Sequence, residues 1–228
     1  MSTSTTRMGL TKPAGSEARS VTPLNTNSDL LDKFAPCILV NDGVTPPTGD
    51  LYDGALVKER TSGIIWEARK NGGGTFDKVY VRYPLHFQGT ASATYPVSSS
   101  AGVWANMPID AVNAAYCKNS SAAQIVGARF SAPVKGIYQF TMRLAFVSNG
   151  TGERAIGYEA NGVTVTGEEY INSIVASSSG GQPLKLTIIT STLLGVGDTA
   201  GVSGWQNSGG NLNATFIGIK AAMIEPIQ

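Results

Sequence analysis

Tyr138, Phe140, Met142, Leu144 and Phe146 are apolar at every second position, with Gln139, Thr141 and Arg143 between them. Successive side chains of a strand point to opposite faces, so this stretch predicts a half-buried antiparallel strand and not a helix. Leu184, Leu186 and Ile188 repeat the pattern. Phe216 to Ile224 is apolar on both sides of the pleat, as in a central strand covered on both faces. Turn signals separate these runs. Asn149-Gly150 and Asn161-Gly162 suit two-residue hairpins with positive φ at both centres. Gly195-Val196-Gly197-Asp198 and Asn207-Ser208-Gly209-Gly210 turn the chain again. Upstream, 104–112 and 125–131 read as strands, and Tyr95-Pro96 with Ser98, Ser99 and Ser100 as a loop. Roughly eight or more short strands at about ten-residue spacing predict an all-β sandwich or jelly roll over residues 85–228.

Two smaller regions precede it. In residues 1–36, Pro13, Gly15 and Pro23 break any regular pattern. Asn27 or Ser28 then caps a predicted helix of about two turns, with Asp29 near its positive end. Leu30, Leu31 and Phe34 share a face of that helix, and Pro36 ends it. So short a helix is not stable alone in water, so these residues, with Leu24 before them, are expected to anchor the chain on another surface. Residues 37–84 read as a small β unit. Asn41-Asp42-Gly43, Pro46-Pro47-Thr48-Gly49 and Asn71-Gly72-Gly73-Gly74 separate short apolar runs such as Ile64-Ile65-Trp66 and Val79-Tyr80-Val81. A unit this small buries little by itself and is expected to pack against copies or a larger partner.

Composition narrows the function. Hydrophobic residues make up 42% of the chain, enough for a packed core, while charged residues are only 14%. The net charge is +1, and Lys and Arg never run longer than a pair, so a phosphate-neutralising patch for nucleic acid is not expected. No apolar run approaches a membrane span, and residues 1–12 lack the apolar stretch of a signal peptide. Synthesis in a reducing cytosol follows as an expectation, with Cys37 and Cys117 as free thiols.

Catalytic chemistry finds little footing. The single histidine, His86, lies between Pro84 and Phe87 in a predicted strand, where a structural role is expected. No Cys/His cluster has zinc-ligand spacing. Gly72-Gly73-Gly74-Thr75 lacks the Lys-Ser/Thr of a phosphate loop and reads as a turn. Asp50 with Asp53, and Glu168 with Glu169, are paired carboxylates of the kind used in glycoside hydrolysis or calcium binding. Solvated turn charges account for them as well. No catalytic residue, cofactor or metal ligand is therefore assigned. Trp205, with Gln206, Asn207, Ser208 and Asn149, forms the candidate glycan-binding set, because indoles stack on sugar rings and amides bond hydroxyls. A core tryptophan beside a turn is the alternative reading, and Tyr158 and Tyr170 share that ambiguity.

The run from Gly127 through Phe130, Ala132-Pro133, Gly136, Tyr138 and Phe140 resembles the signature of complement-type heads of the tumour-necrosis-factor-like jelly-roll superfamily. Gly197-Asp198 with Trp205 to Gly210, and Phe216 to Lys220, are similar to its second and third landmarks. The resemblance implies a symmetric trimer that binds macromolecules or glycans, and in some members a calcium on the three-fold axis. Residues 9–15 and 21–32, with Pro13-Ala14-Gly15 leading to Leu24-Asn25-Thr26-Asn27-Ser28-Asp29, resemble the N-termini of tailed-bacteriophage minor tail and fibre proteins. Together the resemblances imply a non-enzymatic virion protein, a homotrimeric tail fibre or minor tail protein that contacts other virion proteins and a bacterial surface glycan. A head fibre or capsid decoration protein, and a host-polysaccharide depolymerase, are the alternatives.

Overall fold

The computed structural model describes residues 3–4, 11–12, 37–47, 51–99, 103–165, 167, 170–175 and 183–227. Leu24, Leu30, Leu31, Phe34 and the expected short helix lie outside the described residues. The chain divides into two compact units, residues 1–82 and 83–228.

In the first unit β1 (Thr3–Ser4) pairs with β2 (Thr11–Lys12). β3 (Ile38–Val40), β4 (Ala55–Glu59), β5 (Ile65–Lys70) and β6 (Phe76–Arg82) form a four-stranded sheet in that order. β3 runs parallel to β4 and the other pairs are antiparallel. One face of the sheet buries Ala55, Val57, Trp66 and Ala68. Side chains set its turns. Asn71 Oδ1 accepts from the backbone N–H of Gly73 (3.1 Å) and Thr75 (3.2 Å), so the glycine run closes the β5–β6 hairpin. The Asp42 carboxylate accepts from Thr61 N–H at 2.9 Å and that of Asp53 from Lys70 N–H at 2.8 Å.

The second unit is a sandwich of two sheets. Its strands are β7 (His86–Thr90), β8 (Tyr95–Val97), β9 (Ala105–Met107), β10 (Ala111–Val112), β11 (Ile125–Val126), β12 (Arg129–Ser131) and β13 (Gly136–Phe146). They continue with β14 (Glu153–Ala160), β15 (Val163–Thr164), β16 (Ile171–Val175), β17 (Leu184–Leu194), β18 (Thr199–Gln206) and β19 (Leu212–Pro226). One sheet is ordered β10-β7-β19-β13-β17, with β8 also on β19. The other is ordered β11-β12-β18-β14-β15, with β9 also on β18 and β16 also on β14. The chain changes sheets at β8–β9, β9–β10, β10–β11, β12–β13, β13–β14, β16–β17, β17–β18 and β18–β19. That crossing path makes the sandwich a jelly roll, not a stack of hairpins.

The predicted alternation sets the core. Tyr138, Phe140, Met142, Leu144 and Phe146 all point inward and are buried. Phe140 packs against Phe130 (centroids 5.7 Å), Tyr158 (5.9 Å) and Tyr138 (6.2 Å). The Tyr138 hydroxyl, buried with its ring, donates to Val134 O at 2.6 Å. Tyr158 belongs to this core, and Tyr170 packs on it with ring centroids 5.5 Å apart.

Several local expectations change. Residues 104–112 are not one strand: β9 joins one sheet and β10 the other, with Pro108 in the link between them. Residues 125–131 fold back as the β11–β12 hairpin, with positive φ at Gly127 (55°) and Ala128 (62°). Tyr95-Pro96 lies in a strand, β8, which pairs on one side only, the edge position where proline is tolerated. Asn161-Gly162 does close a two-residue hairpin, with φ of 48° and 83°. Asn149-Gly150 does not. The link from β13 to β14 crosses between sheets, and its positive φ falls at Gly152 (75°). β19 is central in its sheet, yet Phe216 on its outer face is 47% exposed, so that face is not covered within the chain.

Phe140→Ala removes the ring that three others surround and should cost about 3–5 kcal/mol in urea unfolding. High pH gives a second check. Burial pushes the Tyr158 hydroxyl up to about 12 from its ordinary value of 10.0. Above about pH 10 the unfolded chain releases this proton before the folded one does, so stability should fall as pH rises from there. Tyr158→Phe should flatten that fall, read as melting temperature against pH.

Candidate functional site

The candidate set falls into two places at one end of the sandwich. Asn149, Gln206, Asn207 and Ser208 build a corner where the β13–β14 and β18–β19 crossings meet. Trp205, one residue before the corner, points onto the outer face of the β18 sheet.

The corner is bonded from within. Gln206 is fully buried, and its Nε2 donates to Val97 O (2.8 Å) and Gly210 O (2.7 Å). Its Oε1 accepts from Ser208 N–H (2.8 Å) and Ser208 Oγ (2.6 Å). Both ends of the amide are thus committed to the turn, so Gln206 is a turn pin and not a ligand contact. Asn207 Oδ1 accepts from Glu153 N–H, and a Cβ on Gly152 would stand 2.7 Å from Asn207 O. Asn149 Oδ1 accepts from Thr151 N–H at 2.8 Å. Arg154, fully buried, donates to Thr151 O (2.7 Å), Glu153 O (3.1 Å) and Asn149 O (3.2 Å). These small polar residues hold two crossings together.

The outer face of the β18 sheet is different in kind. Along β18, Ala200 and Val202 face the core, which sends Gly201, Ser203 and Trp205 outward. Opposite them on β14 lie Glu159, Gly157 and Ala155 respectively. β9 adds Asn106, in register with Ser203. Trp104, just before β9, reaches across the sheet: a Cβ on Gly157 would stand 3.0 Å from Trp104 Cζ3 and 2.6 Å from Ser203 Oγ. Glycine at 157 is what lets the indole lie down there. The rings of Trp104 and Trp205 are 6.5 Å apart at 38°, both partly buried. Beneath them Ser203 is fully buried, and its hydroxyl makes no hydrogen bond. Beside them Arg129 Nε donates to the buried Glu159 carboxylate. Asn106, its amide oriented to suit both neighbours, donates to Glu159 Oε2 (2.9 Å) and accepts from Arg129 Nη2 (2.8 Å).

Trp104 was absent from the candidate set. Sequence separation hid it, because about a hundred residues lie between two indoles that β9–β18 pairing brings together. Its signal was a tryptophan just outside a strand, with a glycine positioned across the sheet.

The remaining candidates are placed as follows. His86 starts β7 with its side chain exposed and its backbone bridged to Lys118. Asp53 staples a turn, while Asp50, Glu168 and Glu169 lie outside the described residues. Among the described residues, no three His, Cys, Asp or Glu side chains gather to hold a metal ion.

No protein-family model matches the sequence, and no curated protein matches it. Among solved structures the chain is similar to Eiger TNF from S. frugiperda, at 15% identity and a TM-score of 0.41, over 64% of this chain and 94% of that one. It is also similar to the globular domain of zebrafish complement 1qA, at 14% identity and a TM-score of 0.42, over 63% of this chain and 99% of that one.

Gln206→Ala removes four hydrogen bonds from the corner and leaves Val97 O buried without its donor. A loss of about 2–4 kcal/mol is expected in urea unfolding. A stable variant with impaired ligand binding would instead return Gln206 to the recognition surface.

Proposed function

We propose that the chain is a bacteriophage virion protein, a homotrimeric tail fibre or minor tail protein whose jelly-roll head binds the host cell surface without catalysing a reaction. The observation that carries this reading is the opposite character of the head's two outer sheet faces. On the β13 sheet, Ile189 (64% exposed), Leu193 (55%) and Phe216 (47%) stand outward from neighbouring strands. Solvent contact with three large apolar side chains on one rigid face is costly, and a second copy of the chain removes it. The other outer face carries the two indoles and a neutralised ion pair, a surface suited to an uncharged ligand. The resemblance of residues 127–140 to trimeric heads supports three copies. The front-end resemblance to tail and fibre proteins supports attachment to a particle.

Light scattering of the full chain should give three copies, through interfaces of about 2,000–5,000 Å² in total. Ile189→Asp with Leu193→Asp should give folded single chains. A wild-type monomer stable at micromolar concentration overturns the trimer. Deleting residues 1–36 should leave a folded trimer that no longer enters particles; normal incorporation places the anchor elsewhere. Labelled trimer should adsorb to host cells nearly equally at low and high salt. Strong loss at high salt would mean ionic attraction to an acidic polymer, and no adsorption would favour a capsid decoration role.

A further inference from the structure

We propose that the Trp104–Trp205 pair is the carbohydrate site of the head, and that it takes a neutral pyranose from the outer face of the sheet, not from the loops at its end. This rests on the attachment reading above and assigns the ligand class and the residues within it. Four observations converge on the site. Two partly buried indoles from distant parts of the chain lie 6.5 Å apart at 38°, tilted against each other on the outer face of the sheet. The C–H face of a sugar ring is apolar and fits against such aromatic planes, while its hydroxyls remain at the edges. The sheet beneath the indoles has almost no side chain, Gly157 and Ala155 being buried there, so Trp104 lies close to the backbone and the pair forms a low aromatic strip.

Polarity is the third observation. Ser203 Oγ, fully buried beneath the indoles, makes no hydrogen bond within the chain. A buried hydroxyl without a partner is uncommon and costs stability. A ligand hydroxyl that displaces an indole edge supplies the missing partner. The fourth is charge. Arg129 faces the indole pair's neighbourhood already paired with Glu159, and Asn106 bonds both. No net charge is left to attract an acidic sugar, while the Asn106 amide and the guanidinium edge offer hydrogen bonds to neutral hydroxyls.

A peptide rich in proline also stacks on indoles, and it serves as the competing class in the test. The full-length trimer is titrated with neutral oligosaccharides of glucose, galactose, mannose and N-acetylglucosamine, and with a proline-rich peptide. Saturation-transfer NMR and tryptophan fluorescence report binding. The chain has three tryptophans, and Trp66, buried in the other unit, is the unperturbed reference. At least one oligosaccharide should receive saturation at its ring C–H protons and shift the emission. Trp104→Phe and Trp205→Phe should each weaken it about ten-fold or more, with melting temperature and trimer mass unchanged. Because phenylalanine keeps the packing, these variants separate recognition from folding. Binding unchanged in both variants, binding by no sugar in the panel, or preference for the peptide overturns the proposal.

Cell adsorption separates it from the reading it rests on. If both variants adsorb to host cells as well as wild type does, the indole site fails and attachment stands. If the sugar binds through the indoles but wild-type trimer does not adsorb, the site stands and attachment fails.

Discussion

The head depends on the register of β13. This strand pairs with β17 from Gly136↔Leu194 to Phe146↔Leu184, and on its other edge with β19 from Gly136↔Pro226 to Phe146↔Ala214. A slip of one residue on either side would turn every inward side chain outward. The rings of Phe130, Tyr138, Phe140 and Tyr158 oppose such a slip, because they meet only when the even-numbered residues of β13 face the second sheet. Hydrogen bonds define the ladder, but the aromatic cluster chooses among ladders that are otherwise equivalent.

From that choice follows the character of both outer faces. Once Tyr138 and Phe140 point inward, Ile137, Thr141 and Arg143 must point outward, and β17 sets Ile189 and Leu193 beside them through pairing with Thr141 and Ile137. The result is an outer face on which Ile189, Leu193 and Phe216 stand exposed among polar neighbours such as Thr141 and Arg143. On the second sheet, the same logic turns Val202 inward and Ser203 outward, and the residue facing Ser203 across the ladder is Gly157. A larger residue there would lift Trp104 off the sheet, since even a Cβ would stand 3.0 Å from the indole. The packing that stabilises the sandwich thus also determines where an indole can lie flat.

Sequence and structure agree where a pattern is long or a turn is chemically obliged. β13 and β17 were legible because period two persists over several residues, and the Asn161-Gly162 hairpin because its φ values suit those two residues. Failures occur where a local signal serves a non-local end. Ala128 occupies the left-handed region, which its side chain gives no reason to expect, so the β11–β12 hairpin was read as one strand. Asn149-Gly150 has hairpin chemistry, but β13 and β14 belong to different sheets, and the crossing uses Gly152 instead. For the site, Trp205 was legible as an aromatic next to a polar turn. Its partner Trp104 and the committed amide of Gln206 were not, because both depend on strands that meet only after folding.

Placing recognition on a sheet face and not in the corner has a physical rationale. Asn149, Gln206, Asn207 and Ser208 have the adaptable polar chemistry of a binding loop, yet their acceptors are already occupied by one another and by nearby backbone. A ligand would have to break those bonds before making its own, and the net gain would be small. An indole's aromatic plane offers contact area that does not depend on breaking the polar bonds of a turn. Trp205 lies in β18 and Trp104 directly before β9, so little conformational entropy is lost on binding. A single site of this size supports only weak affinity. Repetition in a symmetric oligomer multiplies it, because once one copy is bound the others search a small volume next to the same surface. In the proposed trimer, weak rigid sites repeated by symmetry would let an attachment head release and rebind locally without leaving the cell.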